Sequence, residues 1–435
     1  MKHPDVIIIG AGAAGLMAAY SLMKAGKSVT LLEARDRTGG RINTVHHHDN
    51  LAQAELGAEF VHGNLPVTLD LLKEAGIPYS NTQFKMLRSR NGVFQEGNET
   101  VTGWDALLEK MYQQEEDVPL RAFLKEHFST EEYTDMRTQI EGFVNGYDTG
   151  DVNDISTFAV RNEWSHEDDD AQYRVDEGYG KMIQFLADAI TAAGNEILLH
   201  KTATEIHWQK DMVRICTTDG NEYNASKVIV ALPLGMLQAT TESAGAVRFD
   251  PVIPAQDRAL KNIGYGAIIK VLLEFKTPFW TENKVFNAPE NGPSTTLLVT
   301  SGEEVPTFWT QTSVNNPLLT GWLGGPPAMA KKDLPAEEIL KLTLQSLGNI
   351  FSLAPETLQS NLQGWHVANW TVAPYTRGSY AYDKVGSADA RKVLSQAVEQ
   401  TIYFAGEYLY DGPAMGTVEA ALSSGKNAAA LILNM

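Results

Sequence analysis

The 435-residue sequence predicts an α/β fold that opens on a Rossmann-like dinucleotide-binding unit, and three observations predict it. The run Asp5-Val6-Ile7-Ile8-Ile9 is β-branched throughout, the pattern of a parallel strand buried on both faces. It passes directly into Gly10-Ala11-Gly12-Ala13-Ala14-Gly15 and a helical stretch over residues 16–25 that stops at Gly26. A second strand over residues 28–32 ends in Glu33, eighteen residues beyond Gly15.

Each position in that opening has a mechanical duty. Gly10 permits the tight turn, Gly12 lets backbone approach a pyrophosphate, and Gly15 lets the helix pack close to the strand. The helix N-terminus offers N–H groups and a partial positive charge to phosphate, with Ala13 and Ala14 of the turn among the cofactor contacts. Glu33 is placed to accept hydrogen bonds from ribose hydroxyls. The segment Glu33-Ala34-Arg35-Asp36-Arg37-Thr38-Gly39-Gly40-Arg41 then selects the dinucleotide. A second glycine pair flanked by arginines suits an extended FAD, whose pyrophosphate and ribitol run past the first crossover. Gly39 and Gly40 admit that stretch, and Arg41 pairs with phosphate charge. Arg35 and Arg37 are equally compatible with a solvated loop.

Bulk properties narrow the function. The length calls for two or three domains, and 43% hydrophobic with 20% charged residues describes an ordinary globular core. A net charge of −19 argues against nucleic acid or anionic membrane as partner and suits either cationic substrates or simple solubility. Cys216, the one cysteine, sits in an alternating run and reads as a half-buried strand residue. The apolar run after Asp5 is too short for a signal peptide, and no stretch of eighteen apolar residues exists, so a cytoplasmic protein is expected. His46-His47-His48 diverge in a strand, and Glu167-Asp168-Asp169-Asp170 lacks the spacing of a calcium loop, so no metal is expected.

Six blocks in order resemble the flavin amine oxidase family, which includes monoamine oxidases, polyamine oxidases and lysine-specific histone demethylases. They are residues 10–41; Glu55-Leu56-Gly57-Ala58-Glu59-Phe60-Val61-His62-Gly63; Asp176-Glu177-Gly178-Tyr179-Gly180; residues 228–235; Ala267-Ile268-Ile269-Lys270-Val271 with Pro278-Phe279-Trp280; and the final run from Trp370 through Tyr375-Thr376-Arg377-Gly378-Ser379-Tyr380 to Gly406-Glu407 and residues 416–421. The resemblance implies a discontinuous FAD-binding domain (residues 1–80, 193–265 and 362–435) and a mixed α+β substrate-binding domain (residues 81–192 and 266–361). Residues 104–150 carry helix formers at helical spacing, and 266–361 begins strand-like and turns helical.

The family also implies roles. Gly57, Ala58, Glu59 and Phe60 pass the flavin, Ala203 meets adenine, and Trp370 packs near the ring. Tyr375, Gly406, Glu407, Met415 and Val418 are further cofactor contacts, while Ala414 offers its N–H to the flavin O2. The helix from about Thr417 directs its positive end there. Lys270 corresponds to the lysine that holds a water against flavin N5. Read from the strand alone, Lys270 shares a face with Gly266, Ile268, Leu272 and Glu274, so pairing with Glu274 or exposure serves as well. Tyr380 is one aromatic wall of the amine slot, or else a core tyrosine. His62 contacts substrate or sets amine protonation, or else packs as a loop histidine.

Two departures matter. Monoamine oxidases carry a cysteine where this chain has Ser379, so FAD is expected to be non-covalent. Their second cage tyrosine is absent from Pro413-Ala414-Met415. The expectation is an FAD-dependent amine oxidase that passes a hydride to flavin N5, yields imine then carbonyl, and reduces O2 to H2O2, with a polyamine or other extended amine preferred. Alternatives are an L-amino-acid oxidase, with Arg88 or Arg90 clamping the carboxylate, and a flavin-binding scaffold without turnover. Partners are then a small amine and O2, with no nucleic acid and no membrane.

Overall fold

The computed structural model describes residues 3–96, 103–165, 171–240, 243–282, 295–311, 315–412 and 414–434. The acidic run at 167–170 and Pro413 lie outside the described residues.

Strand Val6–Ile9 forms where the β-branched run requires it and is buried at every residue. It occupies the centre of a five-stranded, all-parallel sheet in the order Glu196–Leu198, Val29–Leu32, Val6–Ile9, Lys227–Val230, Ile402–Phe404. Both faces are covered, which is why no residue of the strand is polar. Val6 and Ile8 enter a core with helices Ala13–Lys24, Gly180–Ala192 and Val418–Leu433. Ile7 and Ile9 face the opposite way, against Ile206, Val213 and Ile215 of a four-stranded sheet. Cys216 lies half-buried in that sheet, in strand Met212–Thr217.

The first helix starts at Ala13, three residues before the expected Leu16, because Gly12 takes an extended conformation and its carbonyl accepts from Leu16 N at 2.9 Å. Alanines at 13 and 14 then extend it backwards, since alanine has the highest helix propensity.

A seven-stranded sheet lies apart from this body, in the order Leu362–Asn369, Ile268–Phe275, Leu318–Gly324, Thr307–Thr310, Thr295–Thr300, Gln83–Arg90, Val93–Glu96. Helix Ala336–Phe351 covers one face, packing Ile339, Leu344 and Leu347 on Ile269, Val271 and Leu273. Ile268 and Leu272 are covered from the other side by Leu51, Leu56 and Trp370. Helices Trp104–Gln113, Leu120–His127, Thr134–Gly146 and Thr157–Trp164 share a core built on Leu107, Phe123, Ile140 and Val160.

Two segments pack across the boundaries drawn from sequence. Helix Gly180–Ala192, expected with the substrate segments, buries Met182, Ile183, Leu186 and Ile190 against the first helix. Strand Leu362–Asn369, expected with the nucleotide segments, pairs with Ile268–Phe275. An apolar stripe says that a segment is buried, not against what. Among the described residues, no helix is long and apolar enough to cross a membrane.

The closest helix crossing yields a prediction. A Cβ on Gly425, in helix Val418–Leu433, would stand 2.1 Å from the Ala14 carbonyl oxygen. Alanine gains about 1 kcal/mol over glycine in helix propensity, but backbone oxygen cannot rotate away. Gly425→Ala is expected to destabilise by about 1–3 kcal/mol net in urea denaturation; a variant more stable than the parent would show that these helices separate freely.

Candidate active site

One cavity of about 2360 Å³ runs from the glycine turn to the seven-stranded sheet. Ordinary ligand sites occupy about 300–1,000 Å³, so this one has room for a dinucleotide and a second ligand. All of the sequence-chosen site residues line it except Ala11 and Gly15, which stand behind its wall.

The nucleotide end is built for an anion. Helix Ala13–Lys24 has no side chain capping its start and no acid in its first turn. A Cβ on Gly12 would meet nothing within 4 Å, so the open N–H groups face free space. Gly15 is obligatory, because a Cβ there would lie 2.0 Å from the Gly10 carbonyl oxygen. Gly10 itself takes φ +103°. This donor set fits the pyrophosphate of FAD.

Glu33, which is buried, accepts from Ala11 N at 2.8 Å and Arg35 N at 2.9 Å. Each oxygen retains a lone pair for a ribose hydroxyl. Arg35 and Arg37 are half-buried and bonded to the protein. Arg35 donates to Thr376 Oγ1 at 2.8 Å and to the Pro374 carbonyl, with the Trp370 and Tyr375 rings each 5.9 Å away. Arg37 donates to the carbonyls of Thr38, Gly40 and Ile42 at 3.1, 2.9 and 3.1 Å and so braces the second glycine pair. Burial pushes its guanidinium down to about 10. Arg41, expected on phosphate, lines the cavity, pairs with Glu407 Oε1 at 2.9 Å and donates to the Ser379 carbonyl.

Lys270 contradicts both plain readings of its strand. It is 1% exposed, and Glu274 is engaged elsewhere, accepting from Ala52 N at 2.8 Å. Its Nζ bonds to the Glu55 carbonyl, the Gly57 carbonyl and Glu59 Oε2 at 2.6, 3.1 and 2.7 Å. Glu59 also meets Arg174 Nη1 at 2.9 Å. Burial alone would raise the Glu59 carboxyl, but the charges of Lys270 and Arg174 hold it below its ordinary value.

An aromatic wall continues from there. Trp322 and Trp309 lie 5.4 Å apart, Trp309 and Phe60 6.0 Å, Phe60 and His62 5.7 Å, and His62 and Tyr147 6.1 Å. Tyr147 stacks on Phe143 at 5.1 Å. Tyr380 joins this wall through its hydroxyl, which donates to the Tyr147 carbonyl. Burial, then the charge of Asp148, with Tyr147 and Glu163 after it, pushes that hydroxyl well above its ordinary value. His62 donates from Nδ1 to Gln172 Oε1 at 2.7 Å, which leaves the lone pair on Nε2, and burial lowers its affinity for a proton.

Sequence reasoning missed Tyr147, Phe143, Trp309, Trp322 and Arg174, because each reaches the site from an element remote in the chain. Tyr147 alone carried a faint signal, sitting at the end of the helix-rich segment. Arg88 lines the cavity between strand neighbours Gln95 and Thr300, whereas Arg90 is exposed and pairs with Asp135 at 3.9 Å. The histidine run did acquire a carboxylate, since Asp49 meets His366 Nδ1 at 2.7 Å beside His48, across 317 residues that no local spacing could span. Two of those three residues are exposed.

The sequence profile of flavin containing amine oxidoreductase matches residues 13–433. The chain is 28% identical to human lysine-specific histone demethylase 2, over 93% of this chain and 50% of that protein. It is 26% identical to polyamine oxidase 4 of Oryza sativa subsp. japonica, over 98% and 88%. Thus it spans about half the length of the demethylases it matches first and most of the polyamine oxidase. Among solved structures, putrescine oxidase bound to putrescine superposes with a TM-score of 0.79 at 23% identity, covering 100% of both chains. Cyclohexylamine oxidase from Brevibacterium oxydans gives 0.78 at 20%, over 100% and 99%. These last two share the fold.

Glu55 supplies a pH prediction. Its carboxyl accepts from Thr44 Oγ1 and Tyr179 N, both at 2.8 Å, yet burial pushes it up from 4.5 to about 7. A raised carboxyl favours the folded state while protonated, so stability from this group is complete below its ordinary value and lost as pH rises through 7. Between those limits Glu55→Gln should gain up to about 3 kcal/mol relative to the parent, read as the difference between denaturation curves across the range. Parallel curves would remove Glu55 from the account.

Proposed function

We propose, from the premise that the chain belongs to the flavin containing amine oxidoreductase family, that it oxidises an extended, multiply charged amine. FAD is its cofactor. With serine at 379, the cofactor is held without a covalent bond. The observation that carries the substrate class is that the carboxylates Asp148 and Glu163 line the same cavity as Tyr380 and the aromatic wall. A second ammonium of a diamine or polyamine is drawn to those carboxylates while aromatic faces receive the reacting end. The surplus of acids over bases in the whole chain favours encounter with such a cation.

In this reading FAD, held along Gly10, Gly12, Glu33 and the Gly39-Gly40 pair, would supply the two-electron oxidation of the carbon beside nitrogen. The amine must arrive neutral at that nitrogen. His62, kept neutral by burial and with Nδ1 turned to Gln172, offers Nε2 as an acceptor to the N–H of the neutral amine. Tyr380 fixes the approach of the amine along the wall. The imine adds water and splits to a carbonyl compound and a smaller amine. Two electrons and two protons then reduce O2 to H2O2. Lys270 serves this second half, as a cation that favours electron transfer to oxygen.

Peroxide release against a panel of diamines, polyamines, monoamines and L-amino acids tests the class. Polycationic amines should turn over fastest, and activity confined to L-amino acids would overturn the reading in favour of a carboxylate clamp. Asp148→Asn should raise KM for a diamine about tenfold, roughly 1.4 kcal/mol, while leaving a matched monoamine within about twofold. Equal shifts for both would remove Asp148 from recognition. For Lys270→Met, reoxidation by O2 should slow about tenfold or more with flavin still retained.

A further inference from the structure

The four-stranded sheet carries metal-ligating side chains on the face turned away from the Rossmann-like body. Its strands run in the order Glu222–Ala225, Met212–Thr217, Ala203–Gln209, Arg248–Asp250. Ile206, Val213, Ile215 and Phe249 point into the core. Alternation therefore turns Glu205, His207 and Cys216 to the other side, where all three are half-buried. Glu205 and Cys216 are direct partners across the strand pair, and His207 lies one pleat further along. A carboxylate oxygen of Glu205, a ring nitrogen of His207 and Cys216 Sγ all lie within 4.8 Å of one another. His207 Nε2 stands 2.9 Å from Glu205 Oε2, and its Nδ1 donates to Asp250 Oδ2 at 2.9 Å. On the far side of the thiol, Glu222 Oε1 lies 4.0 Å from Sγ.

We propose that this face binds one divalent cation of the zinc type, held by Cys216 Sγ, His207 Nε2 and Glu205 Oε2, with Asp250 orienting the imidazole from behind. Ligand atoms of a tetrahedral zinc site stand about 3.3–3.6 Å apart, so rotation of side chains suffices and the backbone stays in place. A carboxylate on the second ring nitrogen is the usual device for fixing the tautomer of a ligating histidine. Arg248 holds the Glu205 carboxylate through Oε1, which leaves Oε2 for the cation. Charge agrees with a dication. Glu205, Glu222 and Asp250 face two guanidinium groups, Arg214 and Arg248, which leaves one negative charge, and the thiolate formed on binding makes two. Burial, then Glu222, pushes the Cys216 thiol up, so its proton leaves as the cation arrives. Thiolate and imidazole select zinc over Mg2+ and Ca2+, which prefer oxygen. The site stands against the expectation of no metal drawn from the histidine and acidic runs, neither of which takes part. Local spacing could not indicate it, because the thiol arrives from the neighbouring strand.

The test uses the full-length, FAD-loaded protein after treatment with a chelator. It follows no amine oxidation, so failure of the substrate reading leaves it intact. Zn2+ is titrated in competition with a chromophoric chelator, and alkylation of Cys216, the one cysteine of the chain, is timed with and without the ion. Zn2+ should bind with a Kd of about 1 μM or below. At saturation it should slow alkylation about tenfold or more, while Mg2+ and Ca2+ at the same concentration give no protection. Cys216→Ala and His207→Gln should each weaken Zn2+ binding by about tenfold or more. Asp250→Asn, which touches only the far ring nitrogen, should weaken it by about tenfold. His366→Gln removes a donor from the separate group of His48, Asp49 and His366 and should leave the protection of Cys216 unchanged. No binding of Zn2+ by the parent, alkylation as fast with Zn2+ as without it, or equal affinity in Cys216→Ala overturns the proposal. Should a variant fold poorly, the protection of Cys216 in the parent decides alone.

Discussion

A lysine buried in the middle of a β-sheet holds its charge only if an anion is brought to it from elsewhere in the chain. Here the anion comes from the Glu55–Glu59 segment, which is fastened at its other side to the dinucleotide body: Leu56 N donates to the Asn43 carbonyl at 2.9 Å and Ala58 N to the Arg41 carbonyl at 3.2 Å. The contact between Lys270 and that segment thereby joins the seven-stranded sheet to the Rossmann-like sheet. Removing one partner leaves a buried charge uncompensated, a loss on the order of 3–5 kcal/mol. Everything at the cavity's inner end depends on this seat, including Trp309, which reaches Glu59 with its indole N–H at 3.1 Å.

Close backbone approach is the second constraint. A Cβ at Gly57 would fall 1.7 Å from the Arg41 carbonyl oxygen, and one at Gly15 would fall 2.0 Å from that of Gly10. Both glycines are required by packing against main chain, not by an unusual torsion. They let the Glu55–Glu59 segment and helix Ala13–Lys24 approach the main chain beside them. Gly12 differs from them. Nothing lies within 4 Å of its missing side chain, so packing does not require its smallness.

Charge is distributed unevenly in an acidic chain. The overall balance is −19, yet Arg35, Arg41 and Lys270 line the cavity, with Arg37 and Arg174 just behind. Burial weakens Arg35, Arg37 and Arg174, and carboxylates or carbonyls lie at hydrogen-bond distance of Arg37 and Arg174. The cavity thereby carries cations suited to a phosphate-bearing cofactor as well as carboxylates, Asp148 and Glu163 among them, in its lining. One net sign for the whole protein would have hidden that division.

The opening of the chain was legible because every signal there is local. Strand, glycine turn, helix and acid follow one another within thirty residues, and hydrogen bonds at that range are dictated by residue type and spacing. The period-two reading of 268–275 failed for a definable reason. Both faces of that strand are buried, so alternation carried no information about where Lys270 points. Likewise the apolar stripe of helix Gly180–Ala192 announced burial without naming its partner. What the amino-acid order determined unaided was the strand, glycine turn and helix of the opening and, through resemblance, most of a set of residues that line one cavity. What only tertiary structure decided was which charges meet: Glu59 with Lys270 and Arg174, Arg41 with Glu407, and Tyr380 with the Tyr147 backbone. These pairs join residues far apart in the chain, and only the packing of sheets and helices fixes the separation between them.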